Sequence, residues 1–140
     1  MTGPLLLLAT LAMTAALAVW YRRRDGRLRV RTPDPHAPED LRPLVPGPAG
    51  RRGTLLQFSS AFCAPCRATR RTLGEIAGMV EGVVHVEVDA EAHLDLVRRL
   101  GIVKTPTTLV LDAAGHEVVR ASGQPRKADV LAALGQAVPS

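Results

Sequence analysis

Two cysteines, placed between a strand pattern and a helix pattern, limit most strongly what this chain can fold into. Cys63 and Cys66 are the only cysteines among 140 residues, and they lie three positions apart. The apolar run at residues 54–58 (TLLQF) predicts a buried strand, and the spacing of apolar residues over 64–80 predicts a helix. Thiols at positions i and i+3 of a first helical turn lie side by side, so they can close and reopen a small disulfide ring. The pattern therefore indicates a redox centre at a junction between strand and helix.

The start of the predicted helix also favours the reactive form of the first thiol. Unpaired backbone N–H groups and the positive end of the helix dipole stabilise a thiolate, and Cys63 lies at the tip, where this effect is largest. Pro65 suits the first turn, because an N–H at that position has no helical partner. Two other interpretations of the pair stay open. One is half of a zinc site, although no close pair of histidines completes it, and the other is a structural disulfide, although so short a loop constrains the unfolded chain little.

The N-terminal segment has the composition of a membrane-spanning helix. Residues 4–21 form an uncharged, mostly apolar run of 18 residues that ends in Trp20 and Tyr21, residue types that favour a membrane interface. Six arginines follow within the next ten residues, and no Lys or Arg precedes the run. A cleavable signal peptide carries its charge ahead of the apolar region, and a buried core helix would not end in an arginine block, so we expect an uncleaved transmembrane anchor with a basic flank over residues 1–24. The positive-inside rule then predicts a single-pass protein of the cell membrane whose remaining residues face the cytoplasm.

The excess positive charge of the chain lies in its N-terminal part. Residues 1–53 carry nine arginines against four acidic residues, whereas residues 54–140 carry nine Lys and Arg against nine acidic residues. The basic segment predicts a membrane surface as its neighbour. The balanced remainder, which is poor in aromatic residues, argues against a nucleic-acid partner.

A Pro-rich stretch separates the predicted anchor from the cysteines. Residues 25–53 contain six prolines, which exclude a long helix or a central strand, so we expect a linker there. Two pieces of this linker could be ordered. Residues 28–31 (LRVR) alternate like a short edge strand, and residues 38–41 (PEDL) could open one helical turn.

The remaining pattern predicts an α/β domain over residues 54–140. Strands are expected at residues 54–58, 84–88, 107–111 and 117–121, and helices at residues 64–80, 91–100 and 125–138. The order βαβαββα implies a central mixed sheet flanked by helices. Its first strands are parallel and its last two strands form an antiparallel hairpin.

From residue 54 to about residue 138 the sequence resembles the thioredoxin family. The resemblance rests on the strand that leads into the CAPC motif at residues 63–66, on the TPT segment at residues 105–107 before the next buried strand, and on Gly123 after the hairpin. It implies a thioredoxin-like fold in which Pro106 has a cis peptide bond and lies against the cysteines. An ordinary trans proline that ends a loop is the alternative.

The chain departs from the usual thioredoxin motif, Trp-Cys-Gly-Pro-Cys, and from the residues before it. Phe62 replaces the tryptophan and Ala64 replaces the glycine. Gln57 stands where thioredoxins usually carry a buried aspartate that assists removal of a proton from the second cysteine, and Ser59 stands where an aromatic residue is common. Because a neutral amide cannot take up a proton, we expect water or a substrate group to serve instead.

The two thiols and the resemblance together imply a thiol–disulfide oxidoreductase that reduces protein disulfides. Cys63 is expected to attack a partner's disulfide, and Cys66 is expected to resolve the mixed disulfide that results. Four residues are expected to form an apolar rim on which an extended partner segment can lie: Phe62, Ala64, Thr105 and Pro106. Arg67 would add positive charge beside the thiolate.

No bound cofactor is expected, so the electrons must come from a reductase or another protein donor. The expected partners are disulfide-containing proteins and the membrane. A reducing cytoplasm favours the reductase direction. Two alternatives stay open: an extracytoplasmic oxidoreductase or isomerase that acts on exported proteins or in cytochrome maturation, and a non-catalytic binding module with the thioredoxin fold.

Overall fold

A five-stranded sheet organises the part of the chain that the computed structural model describes, residues 2–32, 41–45 and 52–138. Its strands are β1 (Leu28–Val30), β2 (Gly53–Ser59), β3 (Val83–Asp89), β4 (Thr107–Asp112) and β5 (Glu117–Ser122). Their order across the sheet is β1-β5-β4-β2-β3. The β2–β3 pair is parallel and the other pairs are antiparallel, which confirms the predicted mixed sheet with a terminal hairpin.

Four α-helices accompany the sheet in the described residues, together with a short 3-10 turn at Arg42–Leu44. The helices are α1 (Thr2–Arg24), α2 (Ala64–Met79), α3 (Leu94–Arg99) and α4 (Lys127–Ala137). Helices α2 and α4 cover one face of the sheet, and α3 packs on the other. This arrangement confirms the predicted thioredoxin-like α/β fold, preceded by one N-terminal helix that is a candidate transmembrane span.

Two hydrophobic layers enclose β2. The first layer joins β2 to α2 and α4 through Leu55, Leu73, Ile76, Val130 and Leu134. The second layer lies on the opposite face and includes Leu41, Leu56, Phe58, Leu96 and Leu100. Because successive side chains of a strand point to opposite faces, the residues of β2 are buried on both faces of the sheet.

The Pro-rich segment contributes two pieces to the folded domain. The strand expected at residues 28–31 is present as β1, which pairs with β5 at the edge of the sheet. Leu41 is fully buried in the second hydrophobic layer. The helical turn expected at residues 38–41 falls, apart from Leu41, outside the described residues. The domain boundaries expected from the sequence stay predictions.

The first helix leaves the domain at one end of the sheet. Helix α1 is long and apolar enough to cross a membrane, a property shared with signal sequences, and the residues of Gly3–Arg24 are exposed. Just after α1 the chain docks on the sheet. The N–H of Gly26 donates to the carbonyl of Ser122 at 2.9 Å, and the carboxylate of Asp25 pairs with the ammonium of Lys104. Gly26 has a φ of +69°, and a Cβ there would lie 1.8 Å from a backbone oxygen, so only glycine fits without a shift.

Two details of the helix patterns differ from expectation. Helix α3 begins at Leu94 and not at residue 91, because residues 90–93 form a turn in which the carboxylate of Asp89 accepts a hydrogen bond from the N–H of Glu91. As a consequence Leu96 is buried, whereas Leu94 is 54% exposed. In α4, the spacing of the apolar residues predicts that Val130, Leu131 and Leu134 face inward, and Val130 and Leu134 do, but Leu131 is partly exposed.

Candidate active site

The two cysteines meet at the start of α2, directly after the central strand β2. Cys63 is the N-cap of the helix, and its sulfur is bonded to that of Cys66 in a disulfide of 2.05 Å. The backbone N–H of Cys66 also donates to the Cys63 sulfur at 3.2 Å. Cys63 is half-buried, whereas Cys66 is only 1% exposed. The structure therefore brings together the pair that the spacing predicts and shields one member of it.

The loop before β4 lies beside the loop that carries the cysteines. The Thr105–Pro106 peptide bond is cis, as the family resemblance implies, and Pro106 is buried. The hydroxyl groups of Thr105 and Ser60 are 2.7 Å apart and share a hydrogen bond. The carbonyl of Pro106 accepts from the N–H of Gly123 at 2.7 Å. These bonds connect the proline loop both to the cysteine loop and to the end of β5.

The residues around Cys63 are open to solvent. Phe62 has a φ of 57°, a conformation that bulky residues rarely adopt, and its side chain is fully exposed. Ala64, Pro65 and Arg67 are also exposed on the first turn of α2. Phe62 and Ala64 are thus accessible to a partner, and the roles expected for these residues, including the apolar rim, stay predictions.

Gln57 lies under α2 and bonds directly to the backbone of Cys66. Its amide nitrogen is 2.9 Å from the Cys66 carbonyl and 2.9 Å from the hydroxyl of Ser59, and its amide oxygen is 3.0 Å from Nε2 of His85. A carbonyl only accepts hydrogen bonds, so the Gln57 atom that faces Cys66 must be the nitrogen. The Gln57 oxygen therefore faces His85, whose Nε2 must carry a proton and donate it.

A surface ion pair completes this polar cluster, which comprises Gln57, Ser59, Arg70, His85 and Glu87. The guanidinium of Arg70 donates two hydrogen bonds to Glu87, at 2.6 and 2.8 Å. These two bonds are the main reason why the pKa of Glu87 lies below its ordinary value. Partial burial opposes this effect, and a weaker hydrogen bond from the hydroxyl of Ser59 adds to it. Burial lowers the pKa of His85, the charge of Glu87 opposes that effect, and the charge of Arg70 adds to it. The imidazole is therefore mainly neutral at about pH 7.

His85 is the member of the cluster that sequence reasoning missed. The alternation of residues 84–88 indicates only that His85 lies on the wetter face of a strand. Its proximity to Gln57 depends on the parallel pairing of β2 with β3, in which Leu55 is the register partner of His85. The one sequence signal for this role of His85 is its place on the strand after α2, two positions before the acidic Glu87. That signal becomes informative only once the register of β2 and β3 is known.

In the described ranges, His, Cys, Asp and Glu form no group of three or more that could hold a metal ion. Within residues 2–32, 41–45 and 52–138, the two cysteines therefore have no second pair of ligands that would complete a tetrahedral site.

Replacing His85 should change how stability depends on pH. Because the pKa of His85 is lowered in the folded state, the unfolded chain binds more protons below about pH 6.5, and stability falls as the pH drops through this window. His85→Gln keeps an N–H donor but removes this titration, so its free energy of unfolding should decline less than that of the wild type between about pH 7 and about pH 5. Urea unfolding of the detergent-solubilised chain at several pH values measures the difference. The contribution of Glu87, whose pKa lies below 4.5, is lost only at lower pH and should be common to both proteins. Parallel pH profiles would contradict the assignment.

Known proteins share this fold. A model of the thioredoxin-like domain matches residues 47–138. Thioredoxin f from spinach chloroplast is 23% identical, with a TM-score of 0.55 over 64% of this chain and 79% of that chain. A thioredoxin variant from Halobacterium salinarum is 13% identical, with a TM-score of 0.58 over 66% of this chain and 80% of that chain. At these identities the two structures show the fold.

A human protein, thioredoxin domain-containing protein 2, is 37% identical over 59 residues, which are 42% of this chain. The matched part spans 11% of the length of that relative. The family match is broader, because it covers well over half of the chain and includes Cys63, Cys66 and Pro106. The chain therefore belongs to the thioredoxin-like domain family.

Proposed function

We propose that the chain is a membrane-tethered thiol–disulfide oxidoreductase that reduces disulfides in other proteins. The observation that carries this proposal is the unequal exposure of the two cysteine residues. Cys66 is 1% exposed, whereas Cys63 lies half-buried at the N-cap of α2, next to an exposed Phe62. One accessible and one shielded sulfur suit a two-step exchange, in which the first meets the partner and the second resolves the product.

The exchange starts from the dithiol form. The Cys63 thiolate attacks one sulfur of the partner's disulfide, and the other partner sulfur leaves as a thiolate that takes up a proton. The Cys66 thiol then loses its proton and attacks the Cys63 sulfur of the mixed disulfide, which releases the second partner thiolate. The partner gains two electrons and two protons, and the domain is left with the Cys63–Cys66 disulfide. A dithiol protein must return two electrons before the next cycle.

The two cysteines should differ in what they trap. Cys66→Ser should accumulate mixed disulfides with partner proteins, because the resolving thiol is missing, whereas Cys63→Ser should trap none. Both variants should lose reduction of insulin disulfides. Mass spectrometry of the trapped complexes, with the double variant as control, measures this. Equal trapping by both single variants would contradict the assigned roles, and a wild type that neither traps nor reduces would favour the non-catalytic binding module.

The proton of the Cys66 thiol needs an acceptor, and the Gln57 amide cannot be one. We infer that His85 takes it by way of water, since Gln57 already joins this imidazole to the backbone of Cys66. Because the Gln57 oxygen accepts a hydrogen bond from Nε2–H of His85, the other ring nitrogen, Nδ1, is unprotonated in the neutral ring and can accept a proton. His85 then replaces the water or substrate group that the sequence alone predicts as the final acceptor.

His85→Gln should slow the second step and leave the first unchanged. We expect release of the mixed disulfide to be about tenfold slower or more, because a positioned base is lost. In the wild type the release rate should also fall as the pH drops below about 6.5, whereas the variant should lack this inflection. Stopped-flow measurements of attack and release over a pH series separate the two steps. Release rates that coincide for both proteins at every pH would remove His85 from the mechanism.

Membrane tethering rests on α1 and on the charges that follow it. The residues of α1 up to Tyr21 are uncharged and mostly apolar, and three arginines occupy its last turn. Arg24 lies over the ring of Trp20, with 4.2 Å between the guanidinium carbon and the ring centroid, which suits an aromatic and cationic pair at a membrane interface. The arginines favour a cytoplasmic domain, where a reducing environment supports the reductase direction.

Reporter fusions should show which side of the membrane the domain occupies. A phosphatase that is active only after export, fused after Ser140, should be inactive, and a fluorescent protein that folds in the cytoplasm should be bright. Protease added to intact cells should leave the domain uncut. An active phosphatase would contradict the cytoplasmic assignment and favour the extracytoplasmic oxidoreductase, with the same two cysteines but a different electron source.

A further inference from the structure

Helix α1 and the cysteines emerge from the same end of the sheet. One row of register partners crosses the sheet from Leu28 in β1 through Ala121 and Thr108 to Gln57 in β2. Strand β1 begins at this end and β2 finishes at it, so α1 precedes the row and Cys63 follows it on the same side. We call this end the redox edge, and it comprises residues 24–26, 60–66 and 103–106.

A short series of contacts joins the end of α1 to the cysteine loop. The ammonium of Lys104 lies 5.7 Å from the centroid of the Tyr21 ring and pairs with the carboxylate of Asp25. The neighbouring residue, Thr105, shares a hydrogen bond with Ser60, three positions before Cys63. Because Tyr21 occupies the interfacial end of the predicted span, the proline loop lies at the level of the membrane surface.

Helix α1 does not pack on the folded domain. The residues of Gly3–Arg24 are exposed, so α1 does not lie against the sheet or its helices. A bilayer that α1 enters would therefore begin on the side of the domain where α1 leaves it, next to the redox edge. In the plane of the sheet, β2 is three strand spacings from β1, or about 15 Å, so the cysteine loop is close to the point where α1 leaves the domain.

The chemistry of the redox edge suits a membrane surface. In the described part of the chain, Phe62 and Val103 are the most exposed large apolar side chains outside α1, at 102% and 89%. Beside the end of α1 is a cavity of about 480 Å³, and the exposed arginines that line it are Arg24, Arg27, Arg29 and Arg31. Basic side chains next to a span are attracted to anionic headgroups, and exposed apolar side chains can enter the interface.

We propose that the redox edge faces the bilayer and that its substrates are membrane proteins whose disulfides lie close to the membrane surface. This inference rests on the membrane-tethered oxidoreductase proposed above. A disulfide on a protein in the same membrane can approach Cys63 by lateral diffusion, within the layer that the redox edge faces. A soluble protein must fit its disulfide between the domain and the headgroups.

The test uses the full chain in nanodiscs that contain anionic lipid, which leave both faces accessible. One disulfide peptide is offered in three forms: linked to a lipid by a short linker, linked by a long flexible linker, and free in solution. The variant carries a ten-residue Gly-Ser spacer between Arg24 and Asp25, which keeps the pairing of Asp25 with Lys104 and of Gly26 with Ser122 but moves the domain about 17 Å from the end of α1. The control carries the same spacer between Ala113 and Ala114, in the turn at the opposite end of the sheet.

In single turnovers of the pre-reduced wild type and of the control, the short-linked peptide should be reduced about tenfold faster than the long-linked one. The spacer variant should lose this preference and reduce the free peptide at the wild-type rate or faster. No preference in the wild type, or a preference that survives the spacer, would overturn the inference while leaving the proposed function intact. Failure of the wild type to reduce any of the three forms would instead overturn the proposed function, and the inference with it.

Discussion

The burial of β2 on both faces is the constraint on which the rest of the structure depends. All seven residues of Gly53–Ser59 are buried, so this strand can lie only inside the sheet, between the layer of α2 and α4 and the layer of α3. A fully buried Leu or Phe contributes about 1.5 to 3 kcal/mol, whereas a typical hydrogen bond contributes about 1 kcal/mol. Leu55, Leu56 and Phe58 therefore hold the end of β2, and with it Cys63, more firmly than any polar contact of the site. The redox chemistry depends on packing that takes no part in it.

The polar cluster beneath α2 supplies hydrogen-bond partners for a polar side chain that this burial removes from water. Gln57 occupies a fully buried position, where an amide without hydrogen-bond partners would cost about 1 to 3 kcal/mol. Its nitrogen is satisfied by Ser59 and the Cys66 carbonyl, and its oxygen by His85. The charged members of the cluster lie farther out, where the Arg70 side chain is 54% exposed. The arrangement keeps full charges near solvent while placing one titratable ring next to the buried amide.

Local patterns made much of this fold predictable from the sequence. Apolar periodicity and the position of Cys63 indicate β2, α2 and the hairpin, because each is decided by residues close together in the chain. The contact of His85 with Gln57 depends on how two separate strands align, and no local pattern encodes that register. The sequence also does not indicate that Leu41 is part of the core, because its neighbours are prolines and acidic residues typical of a linker. Helix α3 starts late because the side chain of Asp89 accepts a hydrogen bond from the N–H of Glu91 in the turn that precedes the helix.

The three-residue strand β1 has a consequence for self-association. It covers β5, which would otherwise present a row of unpaired backbone groups at the edge of the sheet, ready to pair with another copy. A domain cut at residue 54 would uncover that edge and would also leave a cavity where Leu41 packs. β1 is itself a poor template for pairing, because it is short and carries Arg29 directly opposite Arg120. If the proposed tether confines copies to two dimensions, this short and charged edge disfavours pairing between neighbouring domains on the β1 side of the sheet.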